Sequence, residues 1–187
     1  MSFFKIVVVA VLAVTSTVAQ AETKKAATGG SEGSPAYIGA GVGIPSVAYG
    51  SSSMAVKLFG GYKINEFDIK EAGKLDLAIQ GEYIDFGSSS AHGASWSQSG
   101  VAVAAVASWV IPRKWAPWAD EKLAVLAKAG GARVAYSSNN GFDYTATGLT
   151  QGIGADYNFN SQFAARAMIE YFPGSYSVNG ISGVFRF

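Results

Sequence analysis

Cysteine is absent from this 187-residue sequence and histidine occurs once, at position 92. Without thiols there is no disulfide framework, no thiolate metal site and no thiol nucleophile. One histidine alone makes a poor metal centre, so neither a metal nor another cofactor is expected. Charge is scarce as well: Asp, Glu, Lys and Arg make up 14% of the residues, and the formal net charge is +1. Nothing in that balance favours a nucleic-acid partner. The basic residues also do not cluster with aromatics on one strand, as single-stranded nucleic-acid grooves require. Long apolar runs are missing too. The one continuous stretch, Ile6 to Val14, is well short of the ~20 residues that a membrane helix needs. It follows Lys5 and leads to Ala19-Gln20-Ala21, the arrangement of a secretory signal peptide cleaved after Ala21. No cysteine follows that site, which excludes a lipoprotein anchor. Loss of residues 1–21 removes Lys5 alone and leaves 13 basic against 13 acidic residues, an exported chain of neutral charge.

What the sequence has is alternation. After a polar leader, Glu22 to Pro35, segments of about ten residues with a two-residue period recur, separated by turn signals. They run Ala36–Ile44, Ser53–Ile64, Leu75–Phe86, Ser99–Ile111, Lys122–Tyr136, Thr147–Phe159, Gln162–Phe172 and Tyr176–Phe187. In the last, Ile181, Gly183, Phe185 and Phe187 share one face, and Gly180, Ser182, Val184 and Arg186 the other. The other segments repeat the division, except that both faces of the fourth are apolar; its outward set is read as Val101, Val103, Ala105, Ala107 and Trp109.

Eight strands is an even number and no helix-period segment remains to cover a sheet face. The sequence therefore predicts an all-β protein, a closed antiparallel eight-stranded transmembrane β-barrel over residues 36–187. The second face is glycine-rich but carries Lys57, Glu82, Lys128, Asp156, Arg166 and Glu170. Three cations against three anions in a lumen this narrow imply a salt-bridge plug, because an ion there is costly unless paired. A soluble lipocalin-like barrel is the rival fold. The aromatics argue against it: Tyr62, Trp109, Tyr157, Phe159, Phe163, Phe185 and Phe187 gather at one rim, and Tyr83 and Tyr171 stand near the other. Such girdles suit a lipid-facing wall.

On this layout the periplasmic turns are Asn65–Lys74, Pro112–Glu121 and Asn160-Ser161. The external loops are Pro45–Ser52, Gly87–Gln98, Ser137–Ala146 and Pro173–Ser175. The loops are built from Ser, Gly, Asn and Ala, with the aromatics Tyr49, Trp96, Phe142 and Tyr144 expected to pack over the barrel mouth. The stretch Arg113-Lys114-Trp115-Ala116-Pro117-Trp118 suits an anchor on lipid headgroups.

Through Gly81-Glu82-Tyr83-Ile84-Asp85-Phe86-Gly87, Arg166-Ala167-Met168-Ile169-Glu170-Tyr171 and Phe185-Arg186-Phe187, the chain resembles the bacterial outer-membrane β-barrel family, which holds the OmpA-like transmembrane domain and the opacity-type surface proteins. The resemblance covers Tyr37 to Phe187. It implies a place in the outer membrane of a Gram-negative bacterium, among outer-membrane lipids and lipopolysaccharide. It also implies that Ile181, Gly183, Phe185 and Phe187 form the signal read by the outer-membrane assembly machinery. No peptidoglycan-binding domain follows the barrel, so no cell-wall tether is implied. The expected role is structural or surface-interacting, with any receptor unidentified and no catalysis. Two alternatives stand beside it: a narrow porin-like channel for ions or small solutes, and a barrel enzyme that modifies lipid A. The second needs a serine, a histidine and an acid at the outer rim. His92 has serines around it but no carboxylate close in sequence, so it reads as a solvated loop histidine.

Overall fold

The computed structural model describes residues 35–46, 54–69, 73–91, 94–119, 121–141, 143–174 and 176–187. The signal peptide, most of the leader, Tyr49, His92 and Phe142 lie outside the described residues. Eight strands follow one another: β1 (Ala36–Ser46), β2 (Ala55–Ile69), β3 (Gly73–Ala91), β4 (Ala94–Val110), β5 (Leu123–Ser138), β6 (Asp143–Asn158), β7 (Phe163–Phe172) and β8 (Tyr176–Arg186). Each pairs antiparallel with the next, and β8 pairs with β1 to close the barrel. Among the described residues no helix is long and apolar enough to cross a membrane. A barrel needs none, since closure satisfies every strand's backbone groups.

The stagger of the pairing sets the shape. One rung runs from Ala36 through Tyr62, Ile79, Ala105, Ala129, Gln151, Tyr171 and Ser177 to Ser46, ten residues farther along β1. In a barrel of eight strands such a stagger goes with a tilt of about 40° and an interior just wide enough for side chains. We call the end holding Ala36 and Arg186 the base and the opposite end the mouth.

The faces divide as the alternation predicts, the ambiguous fourth strand included: Ala102, Ala104 and Val106 are buried while Val103 is 63% exposed. The strand ends are longer than the pattern indicates. Most of Gly87–Gln98, read as a loop, is ladder, with β3 and β4 pairing out to Ala91 and Ala94. A bulge between Asp85 and Gly87 marks the change; Gly87 takes φ 76°, and its amide donates to Asp85 Oδ1 at 2.8 Å. The Asn65–Lys74 turn is likewise mostly ladder, entered through a bulge between Lys63 and Asn65. In the Ser137–Ala146 loop β5 continues to Ser138 and β6 starts at Asp143. The additions at the mouth are mostly backbone pairing between small and polar residues, so no hydrophobic period announces them; in the base hairpin Phe67 and Ile69 continue the alternation of β2 past its bulge.

Glycines in β1 and β2 make room for rings. Tyr37 stands opposite Gly61 and Phe59 opposite Gly39. A Cβ added at Gly61 would lie 2.2 Å from the Tyr37 ring, and one at Gly39 would lie 2.2 Å from the Phe59 ring. The two rings meet edge to face at 6.4 Å. A Gly61→Ala variant is expected to lose about 1–3 kcal/mol of stability through overpacking. In a Tyr37→Ala background the same change should cost under about 0.5 kcal/mol, because the sites share one contact. Urea unfolding of the four proteins in lipid vesicles measures the coupling, and equal costs in both backgrounds would disprove it.

Candidate functional site

The lumen is stacked in layers. Nearest the mouth is an apolar layer that includes Ile84, Phe86, Val134, Phe172 and Val178, with Tyr136 and Tyr176 packed against it. Phe86 meets Phe172 edge to face at 5.3 Å, and Tyr176 lies 5.6 Å from Phe86. The Tyr136 hydroxyl donates to the Pro173 carbonyl at 3.3 Å. Tyr144, on the exposed side, packs on Tyr136 at 5.5 Å.

Below it lies the charged layer. Lys57 of β2 donates to Glu170 of β7, and Lys128 of β5 donates to both Glu170 and Glu82 of β3. Lys128 also stands 5.3 Å from the centre of the Phe172 ring, so the two layers touch. Toward the base, Arg166 of β7 holds Asp156 of β6 through two bonds, Nε to Oδ1 at 2.8 Å and Nη2 to Oδ2 at 2.9 Å. Gln80 joins the two groups. Its amide donates to Glu82 at 3.0 Å, while its oxygen accepts from Arg166 at 3.0 Å and from the Tyr37 hydroxyl at 3.1 Å. Arg186, nearest the base, reaches Asp156 at 3.5 Å. The Arg166 guanidinium lies over the rings of Phe59 and Tyr37, which spread its charge onto aromatic faces.

All six charges singled out in the sequence thus point inward and are buried, in two clusters rather than one. Gln80 and Tyr37, which join them, carry no charge and gave no signal of their own. The cue that finds them is position on the inward face: Tyr37 on the glycine-lined side of β1, and Gln80 on the same side of β3 as Glu82. Burial without pairing would cost several kcal/mol per ion, and every lone pair used here offsets part of that.

Outside the wall, Ile181, Gly183 and Phe187 face outward and are exposed, with Phe185 half-buried on the same row. Phe163, Phe185 and Phe187 stack in sequence at 5.1 and 5.3 Å. The β4–β5 connection at the base turns through a short 3-10 segment, Pro117–Ala119, and leaves Trp118 78% exposed; Trp115 packs on Trp109 at 5.4 Å. Past the Asn65 bulge both faces of β2 are largely exposed, so this hairpin projects from the wall. There Lys63 and Lys74 hydrogen-bond Glu66 at 2.7 and 3.0 Å and hold its carboxyl down to about 2. No group of three or more His, Asp or Glu among the described residues is placed to hold a metal ion.

The sequence matches the family described as outer membrane protein beta-barrel domain over residues 7–182. The chain belongs to that family. Solved outer-membrane barrels share the fold. The N-terminal barrel domain of Pseudomonas aeruginosa OprF aligns at 15% identity and TM-score 0.58, over 83% of this chain and all of that one. Neisserial surface protein A aligns at 15% identity and TM-score 0.55, over 81% of this chain and 96% of that one. The attachment invasion locus protein Ail of Yersinia pestis aligns at 17% identity and TM-score 0.51, with 81% and 96% covered. No curated protein matches the sequence. For an outer-membrane barrel the exposed Ile, Val, Leu and Phe of this wall are the lipid-covered surface, which is why they are not inside.

Proposed function

We propose that this barrel is an occluded, non-catalytic outer-membrane protein with a structural or surface-interaction role, its base in the periplasm and its mouth outside the cell. One observation carries the reading. Across the lumen an apolar aromatic layer lies directly on a layer of paired buried charges, which leaves no hydrated path through the described residues. The orientation is supported by the exposed Trp115 and Trp118 beside Arg113 and Lys114 at the base, suited to phospholipid headgroups. The lipid-facing row Ile181, Gly183, Phe185 and Phe187 is the proposed contact for the assembly machinery.

Reconstitution in planar bilayers tests occlusion. The wild-type barrel is expected to give only small, rare conductance steps. Large stable pores would overturn the reading in favour of the channel alternative.

A further inference from the structure

Nearly all of the described basic side chains lie in the lumen or at the base. Arg133 does not. It projects outward from β5 and is exposed. Its rung neighbours are Val101 of β4 and Thr147 of β6, with Tyr83 of β3 next along. One step toward the base the same face carries Val103, 63% exposed, and Leu149, 84% exposed. One step toward the mouth it carries Ser99 and Thr145. Arg133 therefore stands where an apolar wall gives way to hydroxyls. Among the described residues it has no ion pair; Asp85, two strands away on this face, accepts from the Gly87 amide instead. A guanidinium at the edge of hydrocarbon is costly without an anion beside it.

The wall beneath Arg133 has an uncommon shape. Gly131, Ala129 and Ala127 follow it down β5, and Ala105 and Ala107 flank them on β4. A Cβ added at Gly131 would touch nothing within 4 Å, so the strip is open. Leu149 and Ile153 stand up along one side. Arg133 to Ala127 spans about 20 Å of strand, which at a tilt of about 40° crosses about half of a 30 Å hydrocarbon core. Between Leu149 and Ile153, beside Ala129, Gln151 turns an amide toward lipid and is exposed.

We propose that this face binds a phosphorylated glycolipid of the outer leaflet, the lipid A of lipopolysaccharide. Arg133 holds a phosphate by charge-assisted hydrogen bonds, with Thr147 and Thr145 adding hydroxyls. An acyl chain lies in the alanine strip. Gln151 meets an amide or hydroxyl on the acyl chain, groups that a diacyl phospholipid lacks at that depth. The inference rests on the orientation proposed above, which puts Arg133 at the outer leaflet.

Native mass spectrometry of the detergent-solubilised barrel tests it, with diphosphorylated lipid A, dephosphorylated lipid A, phosphatidylglycerol and inorganic phosphate as probes. Diphosphorylated lipid A is expected to bind best, and Arg133→Gln to weaken it about tenfold, the value of one charge-assisted hydrogen bond. Gln151→Leu should narrow the preference over phosphatidylglycerol. Heat-modifiability on gels should stay wild-type in both variants. Equal lipid A binding by Arg133→Gln, or phosphatidylglycerol or free phosphate bound as well as lipid A, would overturn the site. Labelling of an Asp143→Cys variant in intact cells reads the orientation separately: a labelled mouth is expected, and an unlabelled one would overturn the orientation and with it lipid A as the ligand of this face, whatever the detergent binding shows.

Discussion

A Lys128→Met barrel is expected to unfold about 3–5 kcal/mol more readily than the wild type, the usual cost of removing one partner from a buried ion cluster. Lys128 is shared by two carboxylates on opposite sides of the lumen, and its side chain and theirs are at most 1% exposed. Without it, among the described residues, Glu170 keeps Lys57 and Glu82 keeps the Gln80 amide. The double variant Lys128→Met/Glu82→Gln removes one charge of each sign and should recover at least about 1 kcal/mol. An exposed pair gives the contrast: Lys74→Met, which breaks a bond to Glu66 on the projecting hairpin, should cost under about 1 kcal/mol. Urea titration in lipid vesicles, followed by tryptophan fluorescence, orders the four. A Lys128→Met cost no larger than that of Lys74→Met would mean that water reaches the cluster.

The second large effect concerns conduction. Phe86→Ala and Phe172→Ala should each cost about 3–5 kcal/mol, and together less than the sum, because the rings touch. Emptying the aromatic layer is nevertheless expected to leave the barrel closed, since the Lys57–Glu170–Lys128–Glu82 layer spans the lumen beneath it. Adding Lys128→Ala to that double variant together with Arg166→Ala, which also opens the second cluster toward the base, should bring stepwise, long-lived conductance. The two layers act in series, so Lys128→Ala alone should stay closed behind the rings. Open channels in either the double or the single variant would show that only one layer is a barrier.

The wall of this protein was legible and its interior only partly so, for a physical reason. Alternation is a local property: Val103 against Ala102 and Ala104, or Ile169 against Met168 and Glu170, can be read from a few residues, and with it all eight strands and their faces. The strand ends at Ser88–Ala91 and Ala94–Gln98 were not legible, since ladder hydrogen bonds there are made by backbone and the side chains, Trp96 apart, are small or polar. Which charges meet depends on the stagger of the whole barrel. Lys57 and Glu170 are 113 residues apart, and Gln80 and Arg166 are 86 apart. No spacing rule connects such pairs until every rung has been fixed.

The closing seam has a kinetic consequence. Tyr37 pairs with Arg186 across nearly the whole domain, and until that happens β1 and β8 are two open edges, each able to pair with the wrong chain. Contacts this distant in sequence form slowly. The bonds from Lys57 to Glu170 and from Arg166 to Gln80 likewise join the two ends of the sheet, so those groups stay hydrated while it is open, whereas Arg166 and Asp156 face each other on adjacent strands and can pair before closure. Zipping the seam expels that water and joins those groups in one step. The slowest event in folding is then also the one that makes the barrel hard to open again.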